Sequence, residues 1–300
     1  MKTITFHIGY AKTATTFMQE HVYPMLANVN YVGRFVDKFG DERDNLPWVY
    51  EFAEKLKLDK DQLLSSLNRS AIQNHLISHE VLMRPYKLDK ALELLASLND
   101  KNTKVKVVLS IRNPLNLVFS RYVHDIMTGV FGTYALKDAL DYEGTTECIW
   151  PMCGNGIVNK LWRKSPFNGG SCLCNKYKLK TINVPYYNLS LMHDKLTTTF
   201  GKENVHFLIL ERLKEEQSKE IDRLCNFLSN EVNTVSINHE LLGAPNNSNK
   251  RSDLEIYKRL KAENVSNGVL THLEKYFNSA NEEFARKTQF AELKPLGYKQ

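Results

Sequence analysis

The stretch Ile4-Thr5-Phe6-His7-Ile8-Gly9-Tyr10-Ala11-Lys12-Thr13-Ala14-Thr15-Thr16 constrains this chain more than any other. An apolar strand runs into a tight loop carrying one lysine and three threonines, and the loop opens into a helical stretch from Phe17 to Leu26. The first N–H groups of a helix have no partner within it, and the aligned peptide dipoles make that end positive. Such a strand–loop–helix is a ready anion site, and Lys12 adds a full charge to it. A phosphate- or sulfate-binding loop is expected at the head of the chain.

Strand-like and helix-like stretches then alternate, which predicts an α/β fold: three layers, α/β/α, around a largely parallel sheet. The first strand is expected at Thr3 to Ile8, with helices at Trp48–Leu58 and Asp59–Asn68, the second capped by Asp59. Leu76-Ile77-Ser78 reads as a short buried strand ending at His79-Glu80, and Tyr86 to Leu98 as an amphipathic helix. Lys104 to Ile111 is the clearest strand of all. Asn113 suits a helix cap and Pro114 the first helical position, where its missing N–H costs nothing, so a helix should run on to about Thr128. Helix is expected again at Tyr186–Phe200, strand at Val205–Leu210 and helix at Lys214–Leu228. A polar loop from Asn246 to Arg251 precedes two C-terminal helices. A single domain over 1–300 is expected, with the less periodic segment 129–185 as an insertion or lid.

Composition sets the class of partner. A net charge of +6 favours anionic ligands, yet no basic stripe with interleaved aromatics supports nucleic-acid binding. No apolar run is long enough to span a bilayer, and no small-residue cleavage site follows the N-terminus. A cytoplasmic protein is the simplest expectation. Cys148, Cys153, Cys172 and Cys174 cluster without paired Cys-x-x-Cys knuckles, so no metal is assigned to them, while Cys225 falls on an amphipathic helix and reads as core.

The lysine loop does not follow the nucleoside-triphosphate pattern G-x-x-x-x-G-K-[ST], because no glycine precedes Lys12 directly. Its order, Lys12-Thr13-Ala14-Thr15-Thr16, instead resembles the 5′-phosphosulfate loop of sulfotransferases that use 3′-phosphoadenosine 5′-phosphosulfate (PAPS). Ala14 stands where that family usually has glycine, an awkward exchange if the position needs a positive φ. A second motif strengthens the likeness: Arg112-Asn113-Pro114 with Ser120 and Tyr122 downstream resembles the family's reader of the 3′-phosphate. An arginine at a strand's carboxyl end offers a planar fork to phosphate oxygens, and Ser120 lies two turns into the next helix. The segment Asn204 to Leu213 and the run Cys225-Asn226-Phe227-Leu228 are also similar to bacterial sulfotransferases.

The resemblance implies a PAPS-dependent sulfotransferase that leaves 3′-phosphoadenosine 5′-phosphate (PAP) as product. Ala11, Lys12, Thr13, Ala14, Thr15 and Thr16 would hold the phosphosulfate, Arg112 and Ser120 the 3′-phosphate, and Lys250 and Arg251 a loop closing over it. Lys12 would also follow the charge that develops on the leaving oxygen. Glu80 is the first choice of general base because it stands at a strand exit, where ligands gather in parallel sheets. His79 is its rival, with Glu20 and His21 behind. Trp150, Trp162, Phe167, Tyr177, Tyr186 and Tyr187, amid the lysines of 129–185, suit a glycan or glycolipid acceptor and equally suit packing. A P-loop kinase or NTPase with an atypical loop, and a catalytically silent nucleotide-binding module, remain the alternatives. Neither the oligomeric state nor a protein partner is legible.

Overall fold

The computed structural model describes residues 1–10, 12–36, 42–44, 58–68, 70–78, 88–127, 135–143, 182–229 and 251–288. These fall into two compact units, residues 1–112 with 193–247 and residues 113–192 with 248–300. The helix expected over Trp48–Leu58 lies outside the described residues except for Leu58, as do the four clustered cysteines and most of 129–185.

The first unit is built on six strands: β1 (Lys2–Gly9), β2 (Asn30–Val36), β3 (Glu42–Asp44), β4 (Asn74–Ser78), β5 (Thr103–Ile111) and a last strand, Val205–Ile209. That last strand pairs with β5, and the order across the sheet is β3-β2-β4-β1-β5 followed by Val205–Ile209. All neighbours are parallel except β2 and β3. The α/β expectation is met, and the mostly parallel sheet is flanked by helices.

Strand β1 sits inside the sheet and is buried along almost its whole length. Side chains alternate across a strand, so Thr5 and His7 share one face while Ile4, Phe6 and Ile8 share the other. On the His7 face, Leu76, Val108 and Leu208 pack with Phe17, Met18, Val22 and Tyr23 of the segment after the loop. Ile221, Leu224, the Cys225 thiol and Leu228 of helix Gln217–Ser229 close the same cluster. Burial pushes the Cys225 thiol up to about 12, so it is an inert core group. On the opposite face Phe207 stacks on His193 of helix Leu189–Phe200, at 5.6 Å between centroids. Lys195 of that helix pairs with Asp89 of helix Leu88–Ala96, which buries Leu88, Ala91, Leu92 and Leu95 at helical spacing.

Two buried charges are accommodated by helix ends. Lys106, one of the largest fully buried side chains, donates to the Phe227 carbonyl at 2.6 Å, one of the last carbonyls of helix Gln217–Ser229. Burial lowers its ammonium to about 8. Glu220, on the same helix, accepts from the Ile209 N–H at 2.9 Å and from Arg223 at 3.1 Å, with Arg212 at 4.0 Å. This arrangement explains a departure from the expected single helix over Lys214–Leu228. The chain forms two helices, Leu210–Glu215 and Gln217–Ser229, broken at Glu216 (φ −133°). The break lets the second helix return Glu220 to the end of the last strand.

Elsewhere the expected boundaries hold to within a few residues. Asp59 caps helix Lys60–Leu67 by accepting from Gln62 N–H at 2.9 Å. In the second unit, helix Pro114–Met127 starts with Asn113 Oδ1 accepting from Asn116 N–H at 3.3 Å. Its Val118, Phe119 and Tyr122 pack with Leu136, Ile182, Leu273 and Phe277. The short parallel pair Leu140–Asp141 and Ile182–Asn183 brackets the residues not described. Two helices, Arg251–Ser266 and Val269–Thr288, follow, so Arg251 is a first helical residue and not part of the preceding loop.

Removing a partner from a buried charge cluster leaves the remaining charges desolvated, a loss that usually runs to several kcal/mol. Glu220→Ala should therefore lower the free energy of unfolding by about 3 kcal/mol in urea titrations, whereas Glu216→Ala, at an exposed position, should leave the urea midpoint essentially unchanged.

Candidate functional site

Ligands in open parallel sheets gather at the carboxyl ends of adjacent strands whose following connections leave in opposite directions. Here β1 leads across to β2 on one side and β5 leads to Val205–Ile209 on the other. The parallel register sets Gly9 opposite Ser110. The lysine loop and Arg112 therefore leave the sheet side by side, from the same edge. Ser78, at the end of β4, is opposite His7. His79 and Glu80 come next in the chain but lie outside the described residues, as do Ala11 and Lys250.

Gly9 is required by close approach: a Cβ there would lie 2.7 Å from Thr15 Cγ2 and 3.2 Å from Ser110 Cβ. The loop then turns through two left-handed residues, Lys12 (φ 72°) and Ala14 (φ 62°). The concern raised by alanine at position 14 is thus realised. A left-handed conformation costs an L-residue about 1 kcal/mol or more, which a glycine there would avoid. Part of that cost is offset by burial, since the Ala14 methyl packs against the cluster of Phe17, Met18 and Val22.

The threonines divide between tasks. Thr13 is buried and donates to the Tyr10 carbonyl at 2.6 Å, bracing the turn. Thr15 is buried beside Gly9, while Thr16 is exposed. The Ala14 carbonyl accepts the first helical bond, from Met18 N–H at 3.0 Å. The segment beyond is not one regular helix. It passes from an α turn (Thr15–Phe17) to a π turn (Met18–Val22) and a 3₁₀ turn (Tyr23–Met25).

Beneath the loop lies a polar cluster that no sequence motif announced. His7 Nδ1 is 2.6 Å from Ser78 Oγ, and Nε2 is 2.6 Å from Ser110 Oγ. Gln19 Nε2 donates to Ser78 Oγ at 2.9 Å and lies 3.4 Å from the Ser78 carbonyl. All four side chains are buried, and Tyr23 stands edge-on to the His7 ring at 5.0 Å. Burial lowers His7 to about 3, so the ring is neutral at physiological pH. Its alternation with Ile4, Phe6 and Ile8 was visible in the sequence, but its partners come from strands 71 and 103 residues away.

Lys12 is exposed and Arg112 half-buried. A further cation, Lys214, was missed by the sequence reading. Burial first, and then the Arg112 guanidinium, lower its ammonium, with Glu211 pulling it back. Two cations that repel one another at a strand edge suit an anion, and the loop edge adds a third positive charge. Together these cations suit an anionic ligand. Ser120 lies in helix Pro114–Met127 of the second unit and is half-buried. Glu20 and His21 are exposed on the π turn, 3.7 Å apart. Tyr186 and Tyr187 meet edge to face at 5.0 Å, and Tyr187 packs on the second unit's core. Among the described residues no cluster of metal-ligating side chains is present, and no helix is long and apolar enough to cross a membrane.

A family model described as a sulfotransferase domain matches residues 2–295. Among solved structures, a sulfotransferase from Alicyclobacillus acidocaldarius is 13% identical, with 94% of each chain covered and a TM-score of 0.50, a likeness of fold. The sulfotransferase domain from the curacin biosynthetic pathway is 14% identical over 80% of this chain and 77% of its own, with a TM-score of 0.35. A retinol dehydratase in complex with androsterone and inactive cofactor PAP is 14% identical over 86% and 64%, with a TM-score of 0.31. These two superpose too loosely to carry an argument. No curated protein matches the sequence.

The buried histidine makes stability depend on pH in a stated direction. The unfolded chain binds a proton at His7 below about 6.5, whereas the folded chain does so only near 3. Stability is therefore lost as pH falls from 6.5 towards 3, at up to about 1.4 kcal/mol per pH unit from this ring. Urea unfolding at pH 7 and pH 5 should show the loss, and His7→Asn, which has no titrating ring, should lose less stability over the same interval.

Proposed function

Because this chain belongs to the sulfotransferase family, we propose that Lys12, Arg112, Ser120 and Glu80 carry its transfer of a sulfuryl group to an acceptor hydroxyl. It is a PAPS-dependent sulfotransferase. The observation that carries the residue assignment is the register of β1 on β5, which delivers the lysine loop and Arg112 to adjoining strand ends. The family model runs through both compact units, which supports reading them as one sulfotransferase domain over 1–300.

PAPS, when bound, supplies a sulfuryl group already activated on a phosphate oxygen. Loop N–H groups with Thr15 and Thr16 hold the 5′-phosphosulfate, and Arg112 with Ser120 holds the 3′-phosphate. The Lys12 ammonium stabilises negative charge on the leaving oxygen as the S–O bond to the 5′-phosphate breaks. A new S–O bond forms to the acceptor oxygen on the opposite side of sulfur, and Glu80 takes the acceptor's proton. Fixing both ends of the donor orients the sulfur for in-line attack, which is where much of the rate arises. Lys250 and Arg251 cover the 3′-phosphate. The acceptor is a glycan or glycolipid hydroxyl, a reading supported by the basic, aromatic composition of 129–185.

Calorimetric titration tests the donor site directly. PAP should bind with micromolar Kd without magnesium and more tightly than ATP, and Lys12→Ala or Arg112→Ala should weaken it at least tenfold. Preference for ATP with magnesium would overturn the assignment. For the base, Glu80→Gln should leave PAP affinity within about threefold while lowering transfer of labelled sulfate from PAPS at least a hundredfold. Retained transfer would rule Glu80 out.

A further inference from the structure

We propose that Ser78, Gln19 and His7 form a positioning clip that holds the strained lysine loop in its donor-binding shape. The inference rests on reading that loop as the phosphosulfate site.

The geometry is that of a clamp across a loop. His7 lies two residues before Gly9, and Gln19 three residues after Thr16. Both converge on one hydroxyl, Ser78 Oγ, at 2.6 and 2.9 Å. Ser78 belongs to neither flank: it comes from β4, paired to β1 at His7. The hydroxyl accepts from the Gln19 amide and is hydrogen-bonded to His7 Nδ1. The other ring nitrogen, Nε2, is hydrogen-bonded to Ser110 Oγ. Both ring nitrogens are thus engaged, and burial, which lowers the ring to about 3, keeps it neutral.

The loop needs such a clamp. Lys12 and Ala14 both hold left-handed backbone, and strained backbone persists only where its surroundings over-determine it. Thr13 braces the turn from within, through Tyr10. The clip braces it from outside by fixing the distance between the flanks. If the flanks relax, the competent loop becomes a fraction of the population, and apparent donor affinity falls by that fraction. The Ser78 carbonyl, 3.4 Å from Gln19 Nε2, ties the β4 exit to the same clamp.

The test uses PAP binding by calorimetry, with hydrogen exchange of the loop amides in the free protein. Ser78→Ala and Gln19→Met should each raise the PAP Kd at least tenfold and speed loop exchange at least tenfold. Ala14→Gly relieves the strain without touching the clip. In either clip variant it should improve PAP affinity at least threefold more than it does in the wild-type background. Gln19→Met keeps the test available if Ser78→Ala fails to fold. Unchanged Kd in both clip variants would overturn the proposal, as would a loss that Ala14→Gly does not recover and that follows Tm alone. Failure of the wild type to bind PAP would overturn the donor reading instead; the clip would then stand or fall on loop exchange.

Discussion

Strand β1 is hydrogen-bonded along both edges and buried on both faces, and the rest of the site depends on that double pairing. A strand held this way cannot slip, because a one-residue shift would exchange its two faces and carry His7 away from Ser78 and Ser110. Its register then dictates where the lysine loop emerges relative to β4 and β5. Lys12 and Arg112 are far apart in the chain but leave the sheet at neighbouring points of one edge. Charge at that edge is concentrated further by Lys214, whose ammonium is destabilised by burial and then by Arg112.

Burying so much of the sheet creates a second problem, since several of its interior positions are polar. Three buried groups, two on the sheet and one on the helix against it, have specific partners. Lys106 sits against the carbonyl end of a helix, where its charge complements the dipole. Glu220 takes the N–H of Ile209 and two arginines. His7 joins three segments through two serine hydroxyls and a glutamine amide. Such networks are costly when half-made and specifying when complete, so they fix one arrangement of strands and helices. The same polar contacts therefore stabilise the core and shape the edge that carries the candidate site.

Much of the fold was legible because it depends on local pattern. Strand-like sequence marked β1 and β5, Asp59 and Asn113 marked their helix starts, and the Arg112-Asn113-Pro114 exit was where it was expected. The break at Glu216 was not legible, because a continuous amphipathic pattern does not show that Glu220 must turn back to Ile209. Lys214 was passed over since nothing local distinguishes it from other helical lysines. His7 was read only as part of an apolar strand, and its meaning came from Ser78 and Ser110.

By itself, the sequence determined the α/β class, the lysine loop, the arginine exit and the family, because these rest on residue types at short spacing. Tertiary structure alone decided that Ala14 must hold a positive φ, that Gly9 has no room for a Cβ, and that His7, Gln19 and Ser78 meet beneath the loop. Those facts depend on contacts between strands distant in sequence, whose register no single segment encodes.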